Sequence, residues 1–245
     1  MRFKGISVIL SVILLTGCAH QKDDFKDRSP ESIYAKALGY LKNKDYTDAA
    51  EEFKDIEKLF PYSSKANEGQ VLAAYSYFLA SSYTDALREI EIFLRYHPAH
   101  AMVPYVLYLK AMCLYMQTVS VGRDSRNALD ARMAFFELLN RFPDSPYSAD
   151  SFKRIKLLND IIAAHDMSIG YYYQKNKSPL SAIKRYTFVI TNFPNTKHAE
   201  EAYFRIIECC NSIGLIKDAQ NSYEVMKAAC PESSWTQKAA NLMPK

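Results

Sequence analysis

The chain has 245 residues, 49% of them hydrophobic and 24% charged, with a formal net charge of +4. That is a globular composition, long enough to bury a sizeable core, and so mild a charge excludes the basic stripe of a nucleic-acid binder. Only 7 glycines against 18 tyrosines and 13 phenylalanines point to helices packed through aromatic side chains.

The first element is a targeting segment. In "MRFKGISVILSVILLTGCAH", Arg2 and Lys4 precede an apolar run from about Ile6 to Leu15, which leads to Thr16, Gly17 and Cys18. The run is too short to span a bilayer and has the parts of a secretory signal. Leu15, two small residues and Cys18 fit the bacterial lipoprotein cleavage pattern: the small residues let the backbone enter the peptidase, and the thiol accepts lipid. Residues 1–17 are therefore expected to be removed, leaving Cys18 with a diacylglyceryl group and an N-acyl chain and no other cofactor. Ala19, rather than Asp, follows the cysteine, which directs the anchor to the periplasmic face of the outer membrane. Multiple acyl chains give stable anchoring where one is marginal. Losing Arg2 and Lys4 leaves +4 − 2 = +2, so nothing strongly attracts polyanions. Residues 18–30, mostly polar, read as a tether.

From residue 31 to residue 243 helical patterns alternate with short turns, and no alternating strand pattern of useful length appears. Stepping back twelve residues from Pro61, Pro98, Pro143, Pro194 and Pro231 gives Ala49, Ala86, Ala131, Ala182 and Ala219. Four residues after each alanine stands Phe53, Ile90, Phe135, Tyr186 or Tyr223, and three further on Ile56, Phe93, Leu138, Val189 or Met226. Such a template, Ala-x3-Φ-x2-Φ-x4-Pro with Φ large and apolar, is that of the second helix of a tetratricopeptide-like repeat. The alanine lets two helices approach, the aromatic fills the gap between repeats, and the proline ends the helix because it has no N–H. The prediction is all-α: an α-solenoid of five irregular helix hairpins, at about 31–62, 63–99, 100–144, 145–195 and 196–232, plus a C-terminal tail. Ser63, Ser145 and Thr196, each two residues past its proline, are placed to N-cap the following helices.

Two repeats depart from the pattern. In the third, a first helix over about Val103 to Gln117 is separated from Ala131 by eight extra residues around "TVSVGRDSRN", read as a long loop that is a second candidate for function or structural glue, unless Arg123 and Asp124 simply pair and close it. In the fourth, the surplus "SPYSADSFKRIKLLNDIIAAHD" continues into the next helix, predicting one helix from about Tyr147 to Lys175, roughly 40 Å long.

No catalytic or metal-binding constellation appears, so an enzyme is not expected. His97 and His100 merely flank a turn, and adjacent Cys209 and Cys210 lack zinc-ligand spacing. Cys113 lies in another repeat, and antiparallel packing separates Cys230 from Cys209 and Cys210, so free buried thiols are expected. First-helix positions distinct from the core read Tyr34, Leu38 and Leu41; Val71, Tyr75 and Phe78; Tyr108, Met112 and Tyr115. These predict an apolar concave groove, a binding site unless the tether or the long fourth-repeat helix fills it. Lys184 and Arg185 form a basic pair for an acidic partner, or simply a solvated face.

The segment from "GRD" through "ARMAFFELLNRFPDSPYSADSFKR" carries Arg123, Asp124, Ala131, Phe135, Phe142, Pro143, Ser145, Tyr147 and Asp150. With the lipobox and the irregular third repeat, it resembles the BamD family of outer-membrane assembly lipoproteins. The resemblance covers nearly the whole mature chain. It implies a non-enzymatic role in the complex that inserts β-barrel proteins. It also implies C-terminal repeats docked on a BamA-type barrel subunit, other assembly lipoproteins as neighbours, and N-terminal repeats that receive unfolded outer membrane proteins. The groove suits an extended peptide ending in an aromatic residue. The competing reading is another periplasmic repeat lipoprotein, of pilus biogenesis or envelope division, whose repeats tend to be more uniform.

Overall fold

The computed structural model describes residues 28–121 and 125–243; Cys18, Arg123 and Asp124 lie outside them. Eleven helices follow one another, and no strand occurs among the described residues: α1 (Pro30–Asn43), α2 (Tyr46–Leu59), α3 (Ala66–Leu79), α4 (Tyr83–Tyr96), α5 (Val103–Val121), α6 (Ser125–Arg141), α7 (Ser148–Lys175), α8 (Pro179–Asn192), α9 (Lys197–Ser212), α10 (Ile216–Ala229) and α11 (Ser234–Ala240). Each helix packs chiefly on its neighbours in sequence. The core is accordingly a chain of linked clusters, with Phe53 in the first, Phe93 and Leu107 in the second, and Phe135 and Tyr186 in the third. That is the architecture of a solenoid, in which each unit covers its neighbour's apolar face.

The repeat template explains this packing. All five template alanines are buried. Of the large residues four positions on, Phe53, Ile90, Phe135 and Tyr186 are fully buried, whereas Tyr223 is only half-buried because the short α11 alone covers the last hairpin. Helices α2, α4, α8 and α10 end two residues before their proline, and the intervening Phe60, His97, Phe193 and Cys230 take φ of −136°, −128°, −135° and −145°. A following proline disfavours the helical conformation there, yet each of these N–H groups still bonds the carbonyl four residues back. Gly170 fits against Tyr186: a Cβ there would meet Cδ1 of the ring at 2.8 Å.

Three expectations need correction. The extra residues of the third repeat do not form a long loop, because α5 runs on through Val121 and α6 begins at Ser125. Gly122 is the only glycine or proline in "TVSVGRDSRN", so little there opposes helix. Ser63 and Ser145 are not N-caps: helices α3 and α7 start three residues later, and each hydroxyl instead accepts the N–H two residues on, from Lys65 and Tyr147. Thr196 occupies the N-cap position of α9, but its hydroxyl donates back to the Phe193 carbonyl at 2.8 Å. The long helix of the fourth repeat is present as the 28 residues of α7. Cys113, Cys209 and Cys210 are buried thiols, while Cys230 is only half-buried.

Candidate functional site: an aromatic cleft beside the third repeat

The sequence places large apolar residues near the start of α5 and in the "RFPDSPY" turn between α6 and α7. Folding brings these two stretches against α3, leaving a cleft of about 850 Å³. Leu72 and Tyr75 of α3 form one wall and Met102, Pro104 and Tyr105 another. Phe142, Pro143, Pro146 and Tyr147 of the turn close the third side, with Arg141 and Asp144 as its charged members. Prolines suit this position because they fix the turn and leave no unpaired N–H facing the cleft.

The cleft wall is braced from behind. Tyr147 lies 5.6 Å from Tyr105 between ring centroids and stacks on Tyr108 at 4.9 Å and 21°. The Tyr108 hydroxyl donates to Asp150 Oδ2 at 2.7 Å, Arg154 Nε donates to the same oxygen at 2.9 Å, and the Arg154 guanidinium sits 4.8 Å from the centre of the Tyr115 ring. Burial, reinforced by the bond to Asp150, pushes the Tyr108 hydroxyl up to about 12. Burial raises Asp150 too, but the hydrogen bonds from Arg154 and Tyr108 outweigh it and hold the carboxyl below its ordinary value. Tyr105, pushed upward by burial, also stays neutral. The site is a preformed apolar slot lined by aromatic rings. It holds no nucleophile–base pair, and no group of three or more metal-ligating side chains occurs among the described residues.

Of the nine predicted groove residues, only Tyr75 lines this cleft. Val71 is 1% exposed and belongs to the core of the second repeat, so it cannot line a groove. Tyr34 packs edge-on against Phe53 at 5.6 Å and donates to Glu68 Oε1 at 2.6 Å, which commits it to the contact between α1 and α3. Leu38 is exposed, Leu41 is half-buried, and Phe78 packs beside Tyr83 at 5.8 Å. Tyr108 and Tyr115 lie under Tyr147 and Arg154, and Met112 is half-buried on the same cluster. In the third repeat, then, the start of the long helix covers the groove. Tyr105 lies at the start of α5 and Met102 just before it, and Leu72, in the middle of α3, falls beside the predicted inner stripe rather than on it, so helical periodicity alone does not point to these three. The proline-dense "FPDSP" turn, opposite Pro104, was the available signal. The basic pair also changes: Lys184 is exposed, but Arg185 donates to Asp166 Oδ1 at 3.1 Å, because a buried carboxylate on α7 needs a partner.

A family model described as "YfiO: Outer membrane lipoprotein" matches residues 26–242. "Outer membrane protein assembly factor BamD" of Rickettsia prowazekii (strain Madrid E) is 33% identical over 98% of this chain and 96% of its own length. The proteins of the same name from Caulobacter vibrioides and Neisseria meningitidis serogroup A are 28% and 31% identical, covering 97% and 92% of this chain and 79% and 92% of their own lengths. Among solved structures, the type IV pilus biogenesis factor PilW covers 86% of this chain and 98% of its own, at 12% identity and a TM-score of 0.39.

Proposed function

This chain belongs to the YfiO family of outer membrane lipoproteins, and from that premise we propose that it is an outer membrane protein assembly factor. It acts as a non-enzymatic scaffold held to the periplasmic face by acyl chains on Cys18, and the aromatic cleft receives apolar segments of unfolded barrel proteins. The cleft carries the reading. A transmembrane β-strand places an apolar side chain at every second position and aromatic residues at its ends. Tyr75, Tyr105, Phe142 and Tyr147 present rigid ring surface to such side chains with little conformational entropy to lose, as hot-spot anchors do. A slot rather than a long groove suits capture of one or two side chains at a time, which lets a substrate be handed on. The alternation of apolar and polar residues in a strand also leaves its backbone free to pair elsewhere while its side chains are held.

A BamA-type barrel protein and other assembly lipoproteins are the proposed partners, in keeping with the relatives named for outer membrane protein assembly. Lys184 is exposed and open to such a contact, while Arg185 is already engaged by Asp166.

The cleft is tested with a fluorescent peptide from the C-terminal strand of a barrel protein. Tyr75→Ser combined with Met102→Ser should raise the Kd by about tenfold or more, since anchors of this kind are worth roughly 1–2 kcal/mol each. Leu38→Ser, at an exposed position away from the cleft, should leave it unchanged. Equal affinities for parent and cleft variant would refute the assignment.

A further inference from the structure

The two ends of each hairpin differ in chemistry along the array. At the turn of the first repeat, residues 42–46 include no exposed large apolar side chain, and residues 80–83 of the second include none either. The fourth and fifth repeats reverse this. Tyr172 near the end of α7, Leu180 at the start of α8, and Ile213, Leu215 and Ile216 around the turn between α9 and α10 are all exposed. Gln174 Nε2 donates to Glu208 Oε2 at 3.2 Å, fastening the end of α7 to the end of α9, so the two turns form one edge. Lys175, Lys177 and Lys217 stand exposed on that edge, and none of them makes an ion pair among the described residues. Asp218 is the only exposed acid between residues 209 and 223. Lys177 at φ 57° and Gly214 at φ 77° hold both turns in left-handed backbone, which keeps them tight and projecting.

Aliphatic side chains mixed with tyrosine and unpaired lysine match the boundary between acyl chains and anionic headgroups, where phenols and ammonium groups settle while aliphatic groups dip inward. A protein–protein interface core, by contrast, is depleted in lysine. With Cys18 as the anchor, nine residues, and so ten residue-to-residue steps, separate it from Arg28, the first described residue. An extended chain of that length reaches at most roughly 35 Å, which keeps the first repeat within that distance of the bilayer and leaves the far end of the array free to meet it. We infer that the edge formed by the α7–α8 and α9–α10 turns rests on the anionic headgroup layer of the membrane. The inference uses the anchor reading only for proximity and does not depend on the cleft.

The mature chain from residue 18, with Cys18→Ser to remove the lipid, is floated with vesicles of phosphatidylethanolamine and phosphatidylglycerol or of phosphatidylcholine alone. Binding should favour the anionic vesicles and weaken at high salt. Lys175→Glu with Lys177→Glu should weaken it by about tenfold or more, each lysine near such a surface being worth about 1 kcal/mol. Tyr172→Ser with Ile216→Ser should weaken it at any salt concentration, whereas Leu38→Ser should not. All these residues are exposed, and circular dichroism checks that each variant is folded. No binding to anionic vesicles, or equal binding by parent and edge variants, overturns the inference. Loss of an acidic protein partner from the edge variants with lipid binding intact overturns it as well. Neither result touches the peptide test of the cleft.

Discussion

Gly39 and Gly170 both lie inside helices, yet replacing each with alanine should move stability in opposite directions. Nothing lies within 4 Å of a Cβ at Gly39, so Gly39→Ala should gain about 0.5–1 kcal/mol from the lower backbone entropy of alanine. At Gly170 the new methyl meets Tyr186 Cδ1 at 2.8 Å and Cζ at 2.9 Å. The ring cannot retreat: Tyr186 is fully buried and its hydroxyl donates to Gln174 Oε1 at 2.8 Å. Overpacking a dense core costs roughly 1–3 kcal/mol, which set against the propensity gain of about 0.5–1 kcal/mol leaves a net loss centred on about 1 kcal/mol and reaching roughly 2.5 kcal/mol. Urea unfolding followed by circular dichroism should place the midpoint of Gly170→Ala below the parent and that of Gly39→Ala above it. Tyr186→Leu should make the second alanine nearly harmless, giving a coupling of about 1 kcal/mol or more in the double-mutant cycle. A Gly170→Ala midpoint above the parent would show that α7 and α8 are not in the contact that spaces the repeats.

Acid should loosen the brace behind the cleft. The Asp150 pKa is depressed in the fold, so its contribution is present above the unfolded carboxylate value of about 4 and is lost as pH falls through the folded value. Tyr108→Phe removes one donor, and the variant should therefore lose less stability than the parent between about pH 5 and pH 2; superimposable pH profiles would sink the assignment. Burial pushes Cys113 up to about 12 and Cys209 to about 11, so at about pH 8 these thiols should resist a disulfide reagent until the protein unfolds. The half-buried Cys230 should react first in a native thiol titration, and fast native reaction of Cys113 would contradict its packing.

The scaffold could be read from the chain because each repeat repeats its punctuation. Ala49, Ala86, Ala131, Ala182 and Ala219 are buried as the template requires, and their spacing from the prolines needs only local chemistry. The site was less legible, since it depends on how neighbouring repeats meet. Val71 falls on the nominal inner stripe of α3 but is overlaid by the second-repeat core, a fact no single-helix periodicity contains. Tyr105 and Tyr147 are 42 positions apart and touch only because α7 begins beside α5. Arg185 looked like half of a basic patch because its partner, Asp166, is buried on another helix 19 residues away in sequence. The lesson is physical: periodicity reports what one helix buries, while grooves and ion pairs are made by contacts between helices.

Helix α7 has a consequence for the mechanics of the array. It packs on both α6 and α8 within one unbroken 28-residue rod. In most solenoids the joint between two repeats is a place where the structure can open, because each unit has its own helices. Here the rod works like a splice across a beam, so the joint between the third and fourth repeats has no seam. A load applied at the C-terminal edge is carried through α7 to Tyr147 and the cleft, and the third and fourth repeats turn together as one lever.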